Sequence, residues 1–286
     1  MSMNIGIVGL GLIGGSLAKA IKKNTDYTVW GYDLSEPVTL KALMLNAIDE
    51  RLTYERLGYC DIVIIALYPG DTIEYVTKNA TRFKRDSVVI DCCGVKSGVV
   101  SAIAPIASQS GFCFIGGHPM AGIEYSGFEY SKLDLFQGAS MVLTPVTGTA
   151  IDVVDRIRKF FLKLGFGHVQ YATPEQHDKM IAFTSQLAHV VSSAYILSDS
   201  ALEHKGFSAG SFMDMTRVAR LNENMWTELF IENSEYLSVE IEGLIERLHC
   251  FNKLIKTNNK TELIQILKRG SDRKKLLSGE EIENSV

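Results

Sequence analysis

Short apolar runs alternate with segments of helical spacing along the first part of the chain. Residues 4–8 form an apolar run that ends in a glycine-rich loop, and Leu17, Ala20 and Ile21 follow with helical spacing. Further strands are predicted at 28–32, 62–67, 88–91, 113–115, 141–143 and 169–171, with helix-like segments between most of them. This alternation predicts a largely parallel sheet covered by helices on both faces.

After Tyr171 the pattern changes to helices. Pro174 is well placed as a first helical residue, and the β-branched runs disappear. Apolar residues then recur at intervals of three or four positions and form a long stripe, in which Asn233 is the one polar residue. The apolar members are Trp226, Phe230, Leu237, Ile241, Leu244, Leu248, Phe251 and Ile255. Such a stripe suits helix packing between two subunits, and burial within one subunit explains it nearly as well.

Composition narrows the possible functions. A net charge of -4 provides no basic surface for nucleic acid or an anionic membrane, so no such partner is expected. The apolar N-terminus is broken by glycines and lacks a basic residue ahead of it, unlike a secretory signal. Five cysteines show no metal-ligand spacing, so no metal site is expected. We expect a cytoplasmic protein that acts on small molecules.

The first loop carries a dinucleotide-binding pattern, GxGxxG, between a predicted strand and a predicted helix. Its glycines permit a tight turn and close approach to a pyrophosphate, whose charge the helix N-terminus attracts. Asp33 closes the second strand, where a carboxylate can bind both ribose hydroxyls and repel a 2'-phosphate. NAD is therefore the expected cofactor, held by Gly9, Gly11, Leu12, Ile13, Gly14 and Asp33.

The carboxyl ends of later strands should border the same crevice. Leu67 follows one strand and is expected to line the cofactor, while Cys93 and Gly94 follow the next and are expected near the nicotinamide ribose. His118 lies in the run GGHPMAG, which predicts a glycine-flanked turn. An imidazole placed there is a candidate general base at neutral pH.

Two further candidates lie in the helical half. Arg217 and Arg220 are three residues apart and are predicted to share one helical face, an arrangement that suits a substrate carboxylate. A surface ion pair with Asp214 or Glu223 is the alternative. His189 lies in an otherwise apolar helix, which by itself favours an interior histidine with satisfied hydrogen bonds over a ligand contact.

Taken in order, these segments resemble the prephenate dehydrogenase family, which includes arogenate-using enzymes. The resemblance covers nearly the whole chain and rests on GLGLIGGSLA, GGHPMAG, the GxExSG segment at 122–127, TSQLAH, and DMTRVA leading to Trp226. It implies an α/β fold: an N-terminal Rossmann-type NAD-binding domain, 1–172, followed by an all-helical substrate-binding and dimerisation domain, 173–286. A homodimer formed through the C-terminal helices is expected.

The reaction implied by the resemblance is NAD-dependent oxidative decarboxylation of prephenate to 4-hydroxyphenylpyruvate, in tyrosine biosynthesis. By the matching motifs, His118 accepts the proton of the substrate's ring hydroxyl and Arg217 holds a substrate carboxylate. His189 is implied as a second polar contact, and Glu124 as a residue that orders the site. The family also implies that Asp214 and Trp226 reach the neighbouring subunit.

Two positions depart from the family pattern. Gly94 stands where many members have a serine near the catalytic histidine, so that hydroxyl contact must be absent or replaced. Gln186 stands where histidine is common. Only some thirty residues follow the apolar stripe, so no appended regulatory domain is expected.

Three alternatives remain at this stage. Arogenate differs from prephenate in carrying an amine in place of a keto group, and nothing in the sequence places the neighbour of that group. The β-hydroxyacid dehydrogenases share the two-domain plan but use a lysine followed four residues later by asparagine, whereas Lys179 is followed by Phe183. A non-catalytic NAD(H)-binding sensor would leave the GGHPMAG and DMTRVA segments without a role.

Overall fold

The computed structural model describes residues 3–123 and 125–279. Within them, eight strands form one sheet in the order β3-β2-β1-β4-β5-β6-β7-β8. The strands are β1 (Asn4–Val8), β2 (Thr28–Tyr32), β3 (Glu50–Arg51), β4 (Ile62–Ile65), β5 (Val88–Asp91), β6 (Cys113–Met120), β7 (Ser140–Pro145) and β8 (His168–Tyr171). Neighbouring strands are parallel except for the antiparallel pair β6 and β7.

The contacts divide the chain into two units, Met1–Tyr236 and Leu237–Val286. In the first unit the helices are α1 (Leu12–Asn24), α2 (Glu36–Met44), α3 (Tyr54–Leu57), α4 (Pro69–Asn79), α5 (Ser97–Ser110), α6 (Ile151–Lys163), α7 (Pro174–Ile181), α8 (Leu187–Ile196), α9 (Gly210–Thr216) and α10 (Glu223–Glu232). Most of α11 (Ser234–Lys256) and all of α12 (Lys260–Leu277) belong to the second unit.

The central strands β1, β4 and β5 are buried on both faces, as their continuous apolar runs predict. Alternate residues of one strand point to opposite faces, and they belong to two separate apolar clusters. In β4, for example, Ile62 and Ile64 belong to one cluster, whereas Val63 and Ile65 belong to the other. Helices therefore cover both faces of the parallel part of the sheet, and the predicted sheet architecture is confirmed.

Two strands differ in extent from the sequence prediction. The two-residue β3 was not predicted, because a pair as short as Glu50–Arg51 has no periodicity to detect. β6 is longer than predicted: it continues through the GGHPM segment, which we expected to form a turn. The turn prediction for His118 is therefore wrong.

β6 extends through the GGHPM segment because it pairs with β7. β7 pairs with β6 from Ile115 opposite Pro145 to Met120 opposite Ser140, and His118 faces Val142. Gly116 and Gly117 mark places where the strand approaches its surroundings closely, because a Cβ at Gly116 would overlap the Thr144 hydroxyl. Glycine in this strand thus serves close packing rather than a bend.

The helical part begins at the expected residue. Thr173 caps α7 through a capping box with Gln176, and Pro174 is the first helical residue. No strand follows Tyr171 in the described part of the chain. The domain boundary between residues 172 and 173 stays a prediction.

The prediction that Arg217 and Arg220 share one helical face is wrong. α9 ends at Thr216, Arg217 opens a short 3-10 turn that ends at Ala219, and Arg220 has extended backbone angles. Arg220 therefore lies after the last helical residue, in extended backbone, so its spacing of three from Arg217 does not place the two side chains on one helical face.

The apolar stripe is divided into two helices. α10 ends before Asn233 and α11 begins after it. Asn233 is buried, and its side chain donates hydrogen bonds to the carbonyl of Asp178 at 2.9 Å and to Oε1 of Gln186 at 2.7 Å. Asn233, the one polar residue of the stripe, therefore lies between two helices, and its buried side chain holds this point of the chain to Asp178 and Gln186.

None of the helices in the described residues has the length and apolar character needed to cross a bilayer.

Candidate active site

A cavity of about 710 Å³ lies within the first unit, beside the carboxyl ends of β1, β2, β4 and β5. It is bordered by the glycine loop after β1, by the loops after β4 and β5, by β6, and by residues of the helical part. The predicted site residues that line it are Gly9, Gly11, Leu12, Ile13, Asp33, Leu67, Cys93, Gly94, His118, His189 and Arg217. The cofactor loop, the histidine and the arginine thus open into one cavity.

The glycine loop has the shape that a pyrophosphate requires. Gly9 has φ +86°, and a Cβ there would overlap the carbonyl of Ala66. At Gly11, by contrast, a Cβ would meet nothing within 4 Å, so the backbone is open at this point. The first turn of α1 carries no side-chain cap. Its N–H groups, next to an open glycine, can hold the cofactor's phosphates.

The predicted residues of the glycine loop are all among the described residues, and of these Gly14 alone does not line the cavity. It is buried in α1, and a Cβ there would overlap the carbonyl of Gly9. Its contribution is the close packing of the helix against the loop.

Asp33 is held rigidly at the end of β2. Oδ2 accepts a hydrogen bond from the N–H of Leu10 at 2.8 Å, and Oδ1 accepts one from the N–H of Ser35 at 2.8 Å. Each carboxylate oxygen keeps a further lone pair. Asp33 therefore fixes the glycine loop and still presents negative charge to the cavity that it lines.

His118 has a partner that sequence reasoning did not find. Its Nδ1 lies 2.8 Å from Nε2 of His177, and Nδ1 of His177 lies 2.7 Å from Oδ1 of Asp178. His177 and Asp178 are buried in α7, at 3% and 1% exposure. His118 has a polar partner although Gly94 supplies no hydroxyl.

Burial controls the protonation of these groups. Burial, followed by the neighbouring His177 ring and the Lys96 ammonium, lowers the pKa of His118 well below its usual value. Burial also lowers the pKa of His177, although the hydrogen bond to Asp178 opposes it. For Asp178, burial would raise the pKa, but hydrogen bonds from His177 and Ser97 outweigh it and lower the pKa. At neutral pH both imidazoles are neutral and Asp178 is a carboxylate.

A buried ion pair supports the strand that carries His118. Lys96 Nζ pairs with Oδ2 of Asp91, and both side chains are fully buried. The same carboxylate accepts hydrogen bonds from the N–H of Gly117 at 3.1 Å and of Cys93 at 2.9 Å. Asp91 thus ties the end of β5 to the residue before His118.

The helical part supplies the opposite wall. His189 Nδ1 donates to the carbonyl of Val218 at 3.0 Å, and its ring packs on Trp226 with centroids 3.8 Å apart. Burial lowers the pKa of His189, and Arg217 lowers it further. Arg217 and Arg220 both line the cavity despite their non-helical spacing. A neutral histidine and two arginines therefore line the same cavity as His118, which suits an anionic substrate.

The two departures from the family pattern have structural explanations. A Cβ at Gly94 would lie 3.2 Å from Cδ2 of Leu229, so α10 occupies the space into which a side chain would point. Gln186 donates to the carbonyl of Leu229 at 2.9 Å and accepts from Asn233. Gln186 also lines the cavity. Its amide holds α10 against the rest of this wall.

Glu124, also predicted for the site, lies outside the described residues.

The sequence analysis did not predict His177 and Asp178 as site residues, although their position in the sequence could have indicated them. They fall on the same face of α7 as Ile181, the buried face. Two titratable residues on the apolar side of an amphipathic helix are unusual enough to mark a functional contact.

Comparison with known families fits this geometry. Residues 17–170 match the family described as prephenate dehydrogenase, nucleotide-binding domain, and residues 173–269 match prephenate dehydrogenase, dimerization domain. The chain belongs to the prephenate dehydrogenase family. Family membership confirms the predicted order of a nucleotide-binding Rossmann-type domain and a helical dimerisation domain.

Individual relatives agree. A prephenate dehydrogenase of Bacillus subtilis is 30% identical over 281 residues, which is 95% of this chain and 75% of the relative. The structure of the A. aeolicus prephenate dehydrogenase with hydroxyphenyl propionate and NAD+ has a TM-score of 0.86 and 29% identity, covering 97% of this chain and 99% of that one. The Synechocystis arogenate dehydrogenase has a TM-score of 0.80 and 28% identity, covering 96% and 100%.

Proposed function

We propose that the protein catalyses the NAD-dependent oxidative decarboxylation of prephenate to 4-hydroxyphenylpyruvate, a step of tyrosine biosynthesis. The observation that supports this most is the single cavity shared by the glycine loop, His118 and Arg217. Family membership and the NAD+ bound in the A. aeolicus neighbour agree with it. We further propose that the enzyme acts as a homodimer through its C-terminal helices. A cytoplasmic location stays a prediction.

The cofactor fits the residues present. Gly9, Gly11, Leu12 and Ile13 would hold the pyrophosphate, and Asp33 the adenosine ribose. Leu67, Cys93 and Gly94 follow β4 and β5 and line the same cavity, and the nicotinamide end would extend towards them. Bound NAD supplies the acceptor for the hydride that leaves the ring carbon bearing the hydroxyl.

His118 is proposed as the general base. Because its pKa is lowered, the imidazole is neutral at physiological pH and can accept the proton of the substrate's ring hydroxyl as the carbonyl forms. Carbon dioxide then leaves the ring and aromatisation drives the reaction forward. Proton removal by His118 at the start of this sequence is the chain's direct contribution to the chemistry.

Arg217 is proposed to bind a carboxylate of the substrate, with His189 as a second polar contact. A guanidinium can bind a carboxylate through two parallel hydrogen bonds, which fixes the substrate's orientation as well as its charge. Neutral His189, whose Nδ1–H is already donated to Val218, offers Nε2 as an acceptor to the substrate. The role proposed for Glu124 rests on the family motif alone.

The decisive assay is absorbance at 340 nm with purified protein, NAD or NADP, and either prephenate or arogenate. We expect reduction of NAD with prephenate. Turnover with arogenate alone would move the assignment to the alternative substrate, which the Synechocystis neighbour uses according to its name. Binding of NAD without turnover of either compound would contradict the proposal and favour a sensor.

A further inference from the structure

The contacts of His118 determine which of its two ring nitrogens carries a hydrogen. Asp178 lies at the far end of a chain of three side chains, and an ionised carboxylate can only accept hydrogen bonds. Nδ1 of His177, 2.7 Å from Oδ1 of Asp178, must therefore carry the hydrogen. In a neutral imidazole the other nitrogen is then an acceptor. Nε2 of His177 is thus the acceptor that faces His118.

The position of the hydrogen on His118 depends in turn on His177. Its Nδ1 lies 2.8 Å from the acceptor Nε2 of His177, so Nδ1 of His118 must carry a hydrogen. Its Nε2 then bears the lone pair, and among residues 3–123 and 125–279 no hydrogen bond to Nε2 is seen. His118 lines the cavity, so this lone pair is left for a ligand. The general base is held in the reactive tautomer before substrate binds.

Asp178 is fixed from several sides. Oδ1 accepts from the N–H of Lys96 at 2.7 Å, Oδ2 accepts from the N–H of Ser97 at 2.7 Å, and its own carbonyl accepts from Asn233. These bonds prevent the carboxylate from turning, and His177 is buried against it. The buried start of α5, the anchor at Asn233 and α7 therefore act together to hold one imidazole.

We propose that His177 and Asp178 are positioning residues that hold His118 in the tautomer with hydrogen on Nδ1 and the lone pair on Nε2. The proposal rests on the proposed function, because it assigns this lone pair to the ring hydroxyl of the substrate. As the O–H bond breaks, its proton goes to Nε2 and the ring becomes positive. The charged ring then donates more strongly to His177, and the Asp178 carboxylate stabilises the charge.

The direct test is the ¹⁵N NMR spectrum of histidine side chains in the protein without substrate. Protonated and unprotonated ring nitrogens have distinct shifts, and the His118→Asn variant identifies the His118 signals. We expect protonated Nδ1 and unprotonated Nε2 at His118 in the wild-type protein. The opposite tautomer in the wild-type protein would overturn the proposal. Because no substrate is present, this result is independent of whether prephenate is turned over.

Two variants test the function of the contact. His177→Phe removes the acceptor, so the His118 tautomer should change and kcat should fall by about 10²- to 10⁴-fold, with little change in KM. His177→Gln places an amide oxygen where Nε2 was and should restore part of kcat. His168→Gln is the matched control, because among the described residues the exposed His168 side chain is hydrogen-bonded to Ser140, away from His118 and His177. An unchanged tautomer in His177→Phe, or a Gln variant no better than Phe, would overturn the positioning role.

Discussion

Lys96→Met tests how far the buried ion pair supports the strand carrying His118. The methionine keeps most of the lysine stem and removes the ammonium group. Asp91 then keeps its two N–H partners, Gly117 and Cys93, but loses its charge partner in a place with no exposure to solvent. The expected result is a loss of folding stability and a less well ordered β6.

The loss of folding stability can be worked out from the complete burial of the Lys96–Asp91 pair. Breaking a buried pair by removing one partner costs about 3–5 kcal/mol. The two remaining N–H donors compensate part of the charge of Asp91, so we expect about 3 kcal/mol, at the lower end of that range. For a unit of this size, each kcal/mol moves the melting temperature by about 2–4 °C, so a fall of about 6–12 °C is expected.

Thermal unfolding followed by circular dichroism measures this shift. Lys78→Met is the matched control, because Lys78 pairs with Glu74 on the surface of α4, where solvent screening leaves an ion pair little effect on stability. Adding Asp91→Asn to Lys96→Met should recover part of the loss by removing the unpaired charge. If Lys96→Met melted at the same temperature as Lys78→Met, the buried ion pair would not stabilise the fold.

Three other changes probe the cavity. Arg217→Ala should raise KM for prephenate by about 10- to 100-fold, because a hydrogen bond to a charged group contributes about 1.5–3 kcal/mol. An unchanged KM in steady-state kinetics would mean that Arg217 has a structural role only. Asp33→Asn should reduce the preference for NAD over NADP in kcat/KM, and a persistent preference would mean that another group reads the ribose. Because the lowered pKa keeps His118 neutral, kcat/KM should fall only below about pH 6.5, and a fall beginning above that value would contradict the role of burial.

The elements with local signals were predictable from the sequence. The glycine loop, the buried parallel strands and the start of α7 each depend on residues close together in the chain, such as Thr173, Pro174 and Gln176. The cavity-lining positions followed because parallel strands end at a common edge. Asp33 was found for the same reason, although its bond to Leu10 was not.

The features that the sequence did not predict depend on contacts between segments that are far apart in the chain. β6 continues through two glycines only because β7 pairs with it. The bond from His118 to His177 spans 59 positions, and Asn233 reaches back 55 positions to Asp178. Periodicity cannot reveal such pairs, because each partner alone is compatible with several local environments. The polar step at Asn233 was visible, but its partners were not.

His118 is the residue on which the proposed reaction depends most, because it is proposed as the general base in the cavity that would hold both cofactor and substrate. The most direct test compares His118→Asn with the wild-type protein, measuring NAD affinity by fluorescence titration and turnover of prephenate at 340 nm. We expect kcat to fall by about 10²- to 10⁴-fold while the affinity for NAD stays unchanged. Turnover at the wild-type rate would contradict the proposed role of His118.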